Sequence, residues 1–287
     1  MIRLPSISIP RAALGPTLLV SLLILLMFWH TPPPRPIIAP LHAVTGLHPY
    51  ARPNPDEMLV PPVPIVGQFI QGDRLDVISA DGPFNAEDQA RLAVELEQAL
   101  AYTVTRFGHE PAGRINAYVG MEAGCGLHGI AYTNRRVVQV FTCADLPRNR
   151  VVTIMAHEFV HQLAHDYYGP RHLAADMILL EGIATWGASK YWLGNLSDFA
   201  AFIRQYPPEQ RLPLATSYAG RPISDMNLLY YQWASFVEFL LLRYGRERFD
   251  ALYITGQHSP GSADYVGVYG QRLETLEQEW QHWLDTL

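Results

Sequence analysis

From residue 151 to residue 163 the sequence reads VVTIMAHEFVHQL, which sets His157, Glu158 and His161 inside a mostly apolar run. A helix with apolar residues on nearly every side belongs in the interior of a domain. Buried imidazoles and carboxylates are costly unless they meet partners. The fold must therefore bring polar or charged groups to one stretch of one interior helix. The 287 residues are 49% hydrophobic and 17% charged, which excludes a disordered chain and suffices for a domain with its own core. Net charge is −6, and the paired Arg135 and Arg136 stand without a basic stripe around them, so nucleic acid is not an expected partner.

On a helix, residues i and i+4 lie on one face about 6 Å apart. His157 and His161 can then converge on one zinc ion with bonds of about 2.0–2.1 Å. Glu158 lies beside such an ion, placed to take a proton from water. A catalytic zinc needs a third protein ligand, and His165, Asp166, His172 and Glu181 are the candidates. His165 shares the helical face, but it sits about 12 Å along the axis from His157, too far for one ion to bind both. Ala164 and Tyr167 stand where the metzincin pattern needs Gly and His, which excludes that class. Glu181 lies on the next helical stretch, beyond a turn at Gly169 and Pro170. An antiparallel second helix would return it to the histidines.

Residues 12–29 form an uncharged apolar run preceded by Arg3 and Arg11. Its length of about 27 Å fits a short membrane span, with the remainder of the chain outside the cytoplasm. A cleaved signal peptide is the rival reading, although Phe28, Trp29 and His30 offer no small-residue cleavage site. Residues 31–64 contain 11 prolines and read as an extended spacer. The expected organisation is thus a signal-anchor over 1–30, a Pro-rich linker over 31–64 and a folded domain over 65–287. Cys125 and Cys143 flank one predicted hairpin, and export would allow a disulfide between them.

Within the domain, strands are expected at 75–79, 114–119, 129–132 and 137–142. Asn85 caps a helix over 86–107, where Leu92, Leu96 and Leu100 recur at helical spacing. Helices follow at 149–167, 173–192, 226–244, 247–253 and 273–284. Strands first and helices later predict an α+β domain.

HEFVH followed by Leu180-Glu181-Gly182-Ile183-Ala184 resembles the gluzincin metallopeptidases, the thermolysin-like and aminopeptidase-N-like group. Within that group the chain is similar to the small single-domain proteins called peptidase MA-like. Their tail pattern matches Tyr230-Tyr231-Gln232-Trp233, Tyr244-Gly245 and Leu276 to Trp280. The resemblance implies a zincin catalytic domain with a small N-terminal sheet and a mainly helical C-terminal part. It implies zinc on His157, His161 and Glu181, with Glu158 as general base. It also implies an oxyanion-stabilising tyrosine, for which Tyr230 matches best and Tyr231 is the fallback.

Two departures stand out. The amine-binding motif of the aminopeptidase branch has only a distorted likeness around Glu122, which reads more simply as a turn residue. Thr185 occupies a position where thermolysin-like enzymes place an acidic residue, leaving the orientation of one histidine unexplained. In the resembling enzymes an edge strand before the active helix pairs with extended substrate, and the hairpin 129–142 could do the same. The combined expectation is an extracytoplasmic, membrane-anchored zinc peptidase acting on peptides or proteins. The alternative is a catalytically silent module of the same fold that binds protein partners at the cell envelope.

Overall fold

The computed structural model describes residues 65–82, 84–122 and 128–287. They form an α+β domain with a small mixed sheet and a mostly helical remainder. The sheet contains β1 (Gly67–Gln71), β2 (Leu75–Ala80), β3 (Ile115–Met121), β4 (His128–Tyr132) and β5 (Val137–Thr142), in the order β1-β2-β3-β5-β4. Strands β2, β3 and β5 run parallel, and each edge strand pairs antiparallel with its neighbour. The parallel strands need a crossover, and α1 (Ala86–Phe107) supplies the one between β2 and β3.

Helix α1 begins where Asn85 Oδ1 accepts the Asp88 N–H and ends at Gly108, whose φ of 85° an L side chain would resist. Its Leu92, Leu96 and Leu100 are fully buried. Leu75, Val77, Ile115, Ala117, Val138 and Val140 form the buried face of the sheet. Helix α2 (Arg148–Tyr168) packs between β4, β5 and α1 and is buried on nearly every side from Val151 to Ala164. This is the interior helix that the apolar run anticipates.

The single helix expected over 173–192 is instead three: α3 (Arg171–Ala174), α4 (Met177–Gly187) and α5 (Ser189–Leu193). The cause of the first break is Asp176, which is fully buried. Its carboxylate accepts the N–H groups of Ile178, Gly261 and Ala263 and the hydroxyl of Tyr265, so α4 starts afresh on that cap. At the second break Gly187 lies against Val160, with room for no Cβ.

Short α6 (Phe199–Ile203) leads to the long α7 (Ile223–Tyr244), then α8 (Arg246–Tyr253), α9 (Tyr265–Tyr269) and α10 (Leu273–Thr286). Helices α4 and α7 approach backbone to backbone at Gly182. A Cβ on Gly182 would stand 2.8 Å from the Trp233 carbonyl oxygen. Trp233, Phe236 and Trp280 fill the helical core.

Cys143 is disulfide-bonded, and the chain's one other cysteine, Cys125, falls within residues 123–127, outside the described set. The expected membrane segment 12–29 and the Pro-rich stretch 31–64 also lie outside the described residues. Among the described residues no helix is long and apolar enough to cross a membrane.

Candidate metal centre

Helix α4 runs back along α2, so that Glu181 meets His157 and His161 while Tyr191, further on, presents its carbonyl to Thr153. All three potential ligands are buried. Glu181 Oε2 lies 3.1 Å from His157 Nε2 and 3.6 Å from His161 Nε2, and the two Nε2 atoms are 3.1 Å apart. A tetrahedron with bonds of about 2.0–2.1 Å has edges of roughly 3.3 Å. The three donors thus stand at the corners that one small, four-coordinate ion requires.

Electrostatics favour the same occupant. Burial holds His157 below the usual histidine range, with His161 adding to the effect and Glu181 opposing it. Burial would raise the Glu181 carboxyl, but hydrogen bonds from His157 and His161 override it and hold the group well below the usual carboxylate range. A neutral imidazole and an ionised carboxylate are the forms that bind metal.

The outer nitrogen of His157 is also held. Its Nδ1 lies 3.3 Å from Thr185 Oγ1. Thr185 is fully buried one helical turn beyond Glu181, so one face of α4 supplies both a ligand and a group that fixes the ring of another. The hydroxyl thus supplies a partner for the histidine whose orientation the sequence left unexplained. The signal was the i+4 spacing from Glu181.

Glu158 points from the same helix toward the sheet. Its carboxylate faces the backbone N–H of Ala131 on β4, which favours the charged form. A Cβ on Gly129 would stand 2.7 Å from both Cγ and Oε1 of Glu158, so only glycine lets the strand approach this closely. Burial lifts the Glu158 carboxyl to about 7; a charge on His161 lowers it, Glu181 raises it, and the Ala131 N–H lowers it. A carboxyl with that pKa can exchange a proton near neutrality.

The structure separates the two tyrosines. The ring of Tyr230 lies 5.7 Å from the ring of His157. Tyr231 turns into the core, stacks on Phe202 and donates to the Trp192 carbonyl. The other ligand candidates are not among the three converging donors, although the His172 ring lies 5.5 Å from that of His161. Asp166 accepts from Arg136, Gln162 and the Ala112 N–H. His172 Nδ1 pairs with the Tyr253 hydroxyl at 2.9 Å. His165 sits near His172, ring centroids 6.1 Å apart, and is not among the three converging donors. Glu122 pairs with His128 at 3.3 Å. Gly129, Thr185 and Trp192, whose ring centroid is 5.7 Å from that of His157, complete the surroundings.

No protein-family model matches the chain, and no curated protein matches it.

Proposed function

We propose that this protein is a zinc-dependent peptidase of the gluzincin kind, held by its N-terminal segment with the domain outside the cytoplasm. The observation that carries the reading is the convergence of His157, His161 and Glu181 within 4.8 Å of one another, with the buried carboxyl of Glu158 on the adjoining residue. Two neutral imidazoles and one carboxylate suit zinc and would leave a net charge of +1 there. When bound, zinc supplies Lewis acidity, which acidifies water and polarises a carbonyl.

The chain's own groups perform the remaining work. Glu158 takes the proton of the attacking water and returns it to the leaving amine, a task its raised pKa suits. Tyr230, beside His157, donates its hydroxyl hydrogen to the oxygen that becomes negative in the transition state. Thr185 keeps the His157 ring oriented. Strand β4 is an edge of the sheet and runs past Glu158, so an extended peptide added to that edge brings its backbone to the proton carrier.

The test uses the full chain purified in detergent, beside His157→Ala/His161→Ala and Glu158→Gln variants. Elemental analysis should find near one zinc per chain in the wild type and in Glu158→Gln, and none in the double variant. A mixed peptide library should be cleaved by the wild type alone. Absence of metal after dialysis against zinc at neutral pH would refute the reading. Equal cleavage by wild type and Glu158→Gln would remove Glu158 from the mechanism.

A further inference from the structure

Among the described residues, Trp192 is an aromatic residue beside the donor group whose polar atom the fold leaves unused. It lies on α5, and its ring approaches three others: His157 at 5.7 Å, Tyr231 at 5.8 Å edge-on, and Tyr230 at 6.4 Å with the planes 12° apart. The backbone is fixed on both sides of the side chain. The Tyr231 hydroxyl donates to the Trp192 carbonyl at 3.0 Å, and Thr153 Oγ1 donates to the Tyr191 carbonyl at 3.1 Å. The main chain that carries the indole is therefore held beside a ligand and the tyrosine proposed to meet the oxyanion, while the part-exposed ring itself can turn.

The indole Nε1–H is buried and meets no acceptor among the described residues. Leaving such a donor without a partner costs about 1–3 kcal/mol. Buried indole N–H groups normally find a partner, and an exception beside a reactive centre calls for one that arrives from outside. An arriving peptide carries a carbonyl acceptor on every residue, and it would be desolvated by the same ring.

We propose that Trp192 is a substrate-positioning residue, whose indole N–H donates a hydrogen bond to a backbone carbonyl of the bound peptide next to the scissile bond. This rests on the peptidase reading above. The inference adds a sequence-independent contact on the α5 side of the site to the one proposed at the β4 edge. The substrate's main chain would then be held at two places, and the side chains would be left to contribute selectivity. The indole face also favours an apolar or cationic substrate residue over an acidic one beside it.

The experiment measures binding instead of turnover, on the zinc-loaded full chain in detergent. Two probes share a metal-chelating head. Acetohydroxamate has nothing beyond it, and an N-acyl-dipeptidyl hydroxamate adds a peptide backbone. Two changes at 192 are compared. Trp192→Phe removes the N–H and shrinks the ring, and replacement by benzothienylalanine removes the N–H and keeps the ring's size.

Both variants should bind acetohydroxamate as the wild type does. Both should bind the peptidyl probe about tenfold more weakly, the loss expected of one buried hydrogen bond. A loss in Trp192→Phe that the benzothienyl variant does not share assigns the effect to packing and overturns the proposal. So does unchanged affinity in both variants, or a wild type that binds the two probes equally. A wild type that binds neither probe refutes the zinc reading itself, a result distinct from the others.

Discussion

Gly129→Ala adds one methyl group at the point where β4 touches Glu158. The new Cβ would stand 2.6 Å from Ile154 Cγ2 and 2.7 Å from Cγ and Oε1 of Glu158. Carbon atoms rest at about 3.5–4.0 Å, so strand and helix must part by roughly 1 Å. Overpacking of that size costs about 1–3 kcal/mol. In a domain of this length each kcal/mol moves the melting temperature by about 2–4 °C, which places the expected fall at about 2–12 °C. Zinc content should not change, because the clash involves none of the three donors. A double-mutant cycle with Glu158→Ala isolates the contact. Removing the Glu158 side chain removes two of the three close atoms, so the penalty of Gly129→Ala should shrink by about 1 kcal/mol in that background. Urea unfolding of the four proteins gives the number. Strictly additive losses would show that the strand does not rest on Glu158, and the close approach argued above would be refuted.

Three further outcomes are expected. Thr185→Val removes the hydroxyl that faces His157 Nδ1 and should weaken zinc binding about 10- to 100-fold in chelator competition; unchanged affinity would mean the ring is oriented without it. Asp176→Ala strands two buried N–H groups, the part-buried N–H of Gly261 and a buried phenol hydroxyl and should cost about 3 kcal/mol or more in urea unfolding; a loss under 1 kcal/mol would refute the account of the α3–α4 break. Glu238, at 12% side-chain exposure, has its carboxyl raised to about 7 by burial and by Asp198, against the pull of Arg106 and of the Ala200 and Phe199 N–H groups. A folded pKa above the unfolded one means stability present below about 4.5 and lost as pH rises through about 7, of order 1–3 kcal/mol. Glu238→Gln should remove that loss, so that melts at pH 5 and pH 8 differ less than in the wild type; an equal difference would contradict the assignment.

What could be read from the sequence was what a local pattern encodes. Helix α1 announces itself through Asn85 and the leucine spacing, and both ends fall where expected. His157 and His161 need only the helical repeat to be placed side by side, and Glu181 needs only that the chain turn back. The break between α3 and α4 is different in kind. It depends on donors 85 to 89 residues further on, and no neighbour of Asp176 reveals them. Strand β1 was missed because GQFIQ has no alternation and Phe69 faces outward at 57% exposure on the edge. Trp192 gave no signal, since an aromatic on a short helix reads as core. The choice between Tyr230 and Tyr231 was open because adjacent helical positions differ only in direction; in the structure Tyr231 packs on Phe202 and the Tyr230 ring lies beside His157.

The capping of α4 by the segment that holds Gly261, Ala263 and Tyr265 has a consequence for how the chain is made. Synthesis runs from the N-terminus, so α2 emerges with both histidines well before residue 265 exists. Until then Asp176 lacks three of its four donors, and the helix that bears Glu181 has no fixed seat. A growing chain can offer an ion two imidazoles but not the settled third ligand. The three-donor centre is completed only when nearly the whole domain has been translated, which keeps an unfinished polypeptide from offering all three donors to an ion.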